Sequence, residues 1–192
     1  MDELKKSTVA AESNVRLFTE QIRAQRLDAF ENTFFSLLKL HNSTFERINE
    51  PQPAEDGRPA GSPLQRLMAQ AHQQATLQDA RAVLMADHSE IDHFISILQE
   101  MLKFIDQKYP EDVQTDRMFY ANILKAIINQ EAFEAVAMYA ATDNPQSPYF
   151  AFRQLIEKYE LLQELDLRAI QQPKLVADYL QFFPQLEKGV TL

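Results

Sequence analysis

Between Phe30 and Ile48 the chain repeats apolar positions in steps of three and four. Phe30, Phe34, Leu37, Leu38, Phe45 and Ile48 fall on one helical face, and His41 is the one polar group among them. Phe35 and Leu40 broaden that stripe beyond a surface helix's usual seam, which predicts a core helix covered by several others. Residues 1–50 hold no Gly and no Pro, so one helix of about 45 residues, on the order of 70 Å long, is expected there. Upstream, Leu4, Thr8, Ala11, Val15, Phe18, Ile22, Gln25 and Ala29 alternate steps of four and three, the a/d spacing of a coiled coil. Half of those positions are strongly apolar, so residues 1–27 read either as a helix lying on the domain or as a self-association stalk. Reach favours the stalk: a straight extension from Phe30 overshoots a bundle about 30 Å across.

Pro51 to Pro63 contains four of the nine prolines and two of the three glycines, and is the one long loop. Ser62-Pro63 is a good N-cap and first helical residue. Thr76 with Asp79, and Ser89 with Asp92, have capping-box spacing and divide the following run near 75 and 88. After the second break, Ile91, Phe94, Ile95, Leu98, Leu102 and Ile105 form one face, and Ile97, Met101 and Phe104 another, so this helix is expected to be buried on more than one side. Further helices are expected from Thr115, with Phe119, Ile123, Ala126 and Ile127 buried, and from Asn129, with Phe133, Val136, Ala137 and Ala140 buried. A helix opened by Ser147-Pro148 buries Phe152, Leu155, Ile156, Tyr159 and Leu162, and a short one follows Pro173. No strand alternation and no internal repeat appears. The expected fold is all-α, an antiparallel helical bundle of about six to eight helices, divided into an extension at 1–27 and a helical domain at 28–192.

Composition narrows the chemistry. With no cysteine among 192 residues, disulfides, thiolate metal sites and cysteine nucleophiles are excluded. A net charge of −9 opposes a broad nucleic-acid surface. No apolar run approaches the roughly 18 residues that span a bilayer, and the polar start is not a signal peptide, so a soluble cytoplasmic protein without a cofactor is expected.

Five pieces of the chain read together. They are Phe34-Phe-Ser-Leu-Leu-Lys-Leu-His41-Asn42, Gly57-Arg58, Ile97 through Ile105-Asp106, Tyr120-Ala-Asn-Ile-Leu-Lys-Ala126 with Glu131 following, and Leu155-Ile-Glu-Lys-Tyr159-Glu-Leu-Leu162. In this order and at these separations they resemble the phage abortive infection (AbiC-like) proteins of bacteria, over roughly residues 28–167. The resemblance implies a role in defence against phage and no established reaction. Many of those relatives begin with membrane-spanning helices; the form expected here lacks them.

Reaction chemistry must therefore be argued from residues. Helical toxin and defence nucleases of the HEPN type use Arg-x(4–6)-His, the Arg steadying a phosphate and the His serving as acid or base. Arg66 with His72, and Arg81 with His88, both match, although ten arginines and four histidines give about 0.6 matches by chance. His88-Ser-Glu90-Ile-Asp92-His93 gathers potential metal ligands, but helical zinc pairs sit four apart, so a solvated helix start is the simpler reading and no metal is expected. Glu111, Asp112 and Asp116 read as another helix start. His41 is expected to be a core group satisfied by one or two hydrogen bonds; alternatively His41, Asn42 and Arg58 form a small anion-binding pocket if the loop folds back. Two functions follow: a helical sensing and interaction module, homo-oligomeric or bound to a phage or host protein, and a ribonuclease toxin using Arg66/His72 or Arg81/His88.

Overall fold

The computed structural model describes residues 2–54, 60–86, 89–111, 116–170 and 172–189. Every regular element among them is helical. In chain order these are α1 (Asp2–Asn49), α2 (Pro63–Ala71), α3 (Leu77–Met85), α4 (Ser89–Lys108), α5 (Arg117–Ile127), α6 (Gln130–Ala140), α7 (Pro148–Lys158) and α8 (Pro173–Phe182). Short 3-10 turns at Leu161–Glu164, Leu167–Ala169 and Pro184–Gly189 fill the C-terminal part. The all-α bundle with a long first helix is as the periodicity predicts.

Local chemistry sets the helix starts. Ser62 Oγ accepts from the Gln65 N–H while the Ser62 N–H donates to Gln65 Oε1, both at 3.1 Å, a reciprocal box ahead of Pro63. Thr76 Oγ1 accepts from the Asp79 N–H at 3.1 Å, and the Leu77 N–H finds Asp178 of α8 at 3.0 Å. Asn129 and Ser147 cap α6 and α7 as expected. For α5 the cap is Asp116, whose Oδ1 accepts from the Met118 N–H at 3.0 Å; the expected cap, Thr115, lies outside the described residues.

The helix around which the others pack is α6 rather than α1. All nine residues from Ala132 to Ala140 are buried, and α2, α3, α7 and the 161–164 turn surround it. Ala132, Ala135, Ala137 and Ala140 explain this, because small side chains let neighbours approach from every side. The first helix instead docks one face along α4 and its end on α2. Phe30, Phe34, His41, Thr44 and Ile48 are buried there, while Phe35 is 49% exposed and Leu40 is also open. The broad stripe of α1 therefore has a covered half and an uncovered half.

An aromatic cluster pins α1 to α4 and α5. The Phe30 ring stacks on Phe104 (4.9 Å) and meets Tyr120 edge-on (4.9 Å), and Tyr120 meets Phe34 edge-on at 5.0 Å. Such pairs add about 0.5–1.5 kcal/mol each beyond area burial. In α5 the buried aromatic is Tyr120, and Phe119, expected inside, is 53% exposed. The Tyr120 hydroxyl decides this orientation by donating to Glu31 Oε1 of α1 at 2.7 Å.

Upstream of that cluster the helix leaves the bundle. Every residue from 11 to 21 is exposed, and Phe18 is 63% exposed. At 3.6 residues per turn, Val15, Phe18 and Ile22 lie about 130° around the helix from the Phe34–His41–Phe45 face. The apolar seam of the extension consequently points away from α4.

Candidate functional site

His41 sits on the docked face of α1 with no exposed surface, its ring 5.0 Å from Phe94 and 6.3 Å from Phe45. Nδ1 lies 3.5 Å from Asn42 Oδ1, and Nε2 is buried with no partner among the described residues. Burial pushes the imidazole down to about 4, partly offset by Asn42. The ring is therefore neutral and apolar in its surroundings, with one hydrogen bond at the limit of reach. Arg58, the other half of the expected anion pocket, lies outside the described residues.

Of the two arginine–histidine pairs, Arg66, His72 and Arg81 are described, and they are engaged in different places. Arg66 points into the loop, where its guanidinium donates to the Gly61 carbonyl at 3.0 Å and to Gln52 Oε1 at 2.6 Å. It thereby clamps the backbone bridge between Gln52 and Gly61, for which Gly61 takes φ +139°, a region side-chain-bearing residues rarely adopt. His72, just past α2, is hydrogen-bonded through Nε2 to Glu134 Oε1 at 2.7 Å, and Gln172 donates to its backbone carbonyl. Glu134 is 3% exposed in the middle of α6, and the Tyr179 hydroxyl also donates to it at 3.4 Å. Burial raises the Glu134 carboxyl above its usual range, opposed by His72 and Tyr179. Sequence reasoning passed over Glu134, though one charge inside the apolar run from Ala132 to Ala140 was a usable signal.

Arg81 stacks over the Tyr149 ring with Cζ at 5.8 Å from its centroid, its Nε buried without a partner among the described residues. Burial lowers its affinity for the proton, against a countervailing pull from Tyr149. Beside it the Tyr139 hydroxyl is hydrogen-bonded to Asp92 and lies 3.0 Å from the Leu84 carbonyl. Asp92, counted above among potential metal ligands, is thus occupied by a tyrosine. His88 lies outside the described residues, and among the described residues no three His, Asp or Glu side chains gather as a metal site. Glu111 pairs with Arg117 at 3.1 Å.

A third polar joint links α4 to the end of α7. Asp106 accepts from the Tyr159 hydroxyl at 2.9 Å and also takes the Lys158 ammonium. The hydrogen bond from Lys158 holds the Asp106 carboxyl below its ordinary value. Here the 97–106 and 155–162 pieces singled out in the sequence meet, just as Tyr120 and Glu31 join the 120–126 piece to α1. These residues hold helices together, and the class they define is an all-α bundle joined by polar contacts between helices.

Residues 86–170, spanning α4 to α7 and the following 3-10 turns, match the family model described as "Putative phage abortive infection protein". The resemblance read from the sequence is shown over that stretch; the Phe34–Asn42 and Gly57-Arg58 pieces lie upstream of it. No curated protein and no solved structure matches the chain. Among the described residues no helix is long and apolar enough to cross a membrane.

Proposed function

We propose that this protein serves anti-phage defence in the cytoplasm as a non-enzymatic helical module that senses or binds a phage or host protein and acts through assembly. The family match over residues 86–170 supports the defence role. The observation that carries the module reading is the first half of α1. Val15 and Phe18 are solvent-exposed on a seam turned away from the bundle, and an isolated helix of that kind is marginal in water unless something packs on it. A second copy of the chain supplies the same seam by symmetry, so self-association through residues 1–27 is the simplest completion, with residues 28–192 as the folded body.

The ribonuclease alternative has less support. Arg66 is spent on the Gln52–Gly61 bridge while His72 is bound to Glu134, so that pair is not assembled for a phosphate, and Arg81 lies over the Tyr149 ring. An acidic chain is also a poor match for RNA. Light scattering on the full chain and on a form lacking residues 1–24 tests the assembly reading. The full chain should be a dimer or larger at micromolar concentration, and the shortened form a folded monomer of unchanged core helicity. A full-length monomer would overturn it.

A further inference from the structure

At the corner where α5 ends and α6 begins, the 161–164 turn borders an open pocket of about 670 Å³. Its apolar lining includes Ile128 and Phe133, and its polar lining Asn122, Lys125, Gln163 and Glu164. Elsewhere in the molecule the polar groups of a cluster bind one another, as at Glu134, Asp92 and Asp106. Here they do not: none of these four side chains makes a hydrogen bond or ion pair among the described residues, and Lys125 and Glu164 leave each other unpaired.

The wall that carries Gln163 and Glu164 is fixed in advance. Gln130 brackets the backbone of Asp166, donating to its carbonyl at 2.9 Å and accepting from its N–H at 3.0 Å. At the other end Glu160 adopts φ 51° and ψ 36°, a left-handed conformation that costs a non-glycine residue about 1 kcal/mol or more and persists only where surrounding contacts impose it. That kink stops α7 at Lys158 and swings Gln163 and Glu164 over the pocket. The volume falls within the range of small-ligand sites, and the lining is more polar than apolar, which suits a polar ligand.

The charges select the ligand. One ammonium beside a carboxylate disfavours a polyphosphate, whose charge the carboxylate repels, and a neutral apolar molecule would use neither charge. A molecule with one carboxylate, one ammonium and amides between them satisfies all four groups. We infer that this corner binds a short free peptide, its C-terminal carboxylate at Lys125, its N-terminal ammonium at Glu164, its amides at Asn122 and Gln163, and an apolar side chain over Ile128 and Phe133. The site shares no residue with the exposed seam of α1, so the inference stands or falls apart from the assembly reading.

The test is an amide-resolved NMR titration of the full chain with glycyl-leucyl-glycine and glycyl-phenylalanyl-glycine, each free, N-acetylated, C-amidated and doubly blocked. The free peptides should shift the Asn122 and Gln163 side-chain amides, and blocking either end should weaken binding about tenfold, the scale of one charge-assisted hydrogen bond. Lys125→Met should erase the preference for a free carboxylate alone, and Glu164→Gln the preference for a free amine alone. Both side chains lie on the rim without partners, so both variants should keep the wild-type spectrum elsewhere. Absence of shifts at millimolar peptide, or equal binding of all four forms, would overturn the assignment. So would binding that needs only the carboxylate, which marks a protein C-terminus, or tighter binding of adenosine monophosphate.

Discussion

Acid should unfold this protein partly through one imidazole. In the folded chain His41 is neutral down to about pH 4, whereas the unfolded chain takes up the proton near 6.5. Between those values the unfolded state holds one more proton, so its free energy falls relative to the folded state as pH drops. The stability associated with a neutral His41 is whole above pH 6.5, declines through that window and is fully lost below pH 4. About two and a half pH units at roughly 1.4 kcal/mol each amount to about 3.5 kcal/mol, a large part of the 5–15 kcal/mol typical of a domain. Urea unfolding followed by circular dichroism at pH 7, 6, 5 and 4.5 measures it, with His41→Leu as the control that removes the titration and keeps the volume. At about 2 kcal/mol per molar urea, the wild-type midpoint should fall by roughly 1 M more than that of the variant. Parallel declines in the two proteins, or an imidazole NMR titration of His41 near 6.5, would refute the reasoning.

The core makes further demands. Phe34→Ala should cost about 2–5 kcal/mol, because Phe34 has no exposed surface and leaves a cavity between α1 and Tyr120; a loss below about 1 kcal/mol in urea unfolding would show that the α1–α5 contact is not structural. Glu134→Ala should cost about 2–4 kcal/mol by leaving Tyr179 and His72 without their acceptor, while Glu134→Gln, which keeps an acceptor oxygen, should cost clearly less in the same assay. Equal losses for the two variants would mean that the carboxylate position matters only for packing.

What the sequence disclosed and what it hid follow a physical division. Caps at Ser62, Thr76, Asn129 and Ser147 are local hydrogen bonds between neighbours in the chain, so spacing reveals them. The docked face of α1 is equally legible, because steps of three and four fix a face whatever packs on it. How many helices cover that face is a long-range matter, which is why Phe35 and Leu40 read as core and stand open. Phe119 and Tyr120 are adjacent aromatics, and the choice between them rests on Glu31, 89 residues before Tyr120. Leu155 to Leu162 reads as one continuous helix, yet the chain kinks at Glu160, and nothing in the local pattern marks it. His41 was placed correctly in the core, but its unpartnered Nε2 appears only once the neighbouring rings are known to be Phe45 and Phe94. The 122–133 corner needs α5, α6 and a turn about 30 residues later to meet, and single-chain periodicity carries no such information.

The claim at the centre of this account is that protection against phage needs the surfaces of a helical module and no acid–base histidine. The most direct measurement is the efficiency of phage plating on bacteria expressing the wild type or the His72→Gln/His88→Gln double variant. Glutamine retains a hydrogen-bond donor for Glu134 while abolishing proton transfer. The account predicts undiminished protection by the double variant at equal protein level. Loss of protection together with loss of RNA degradation, in a variant that still folds, would contradict it.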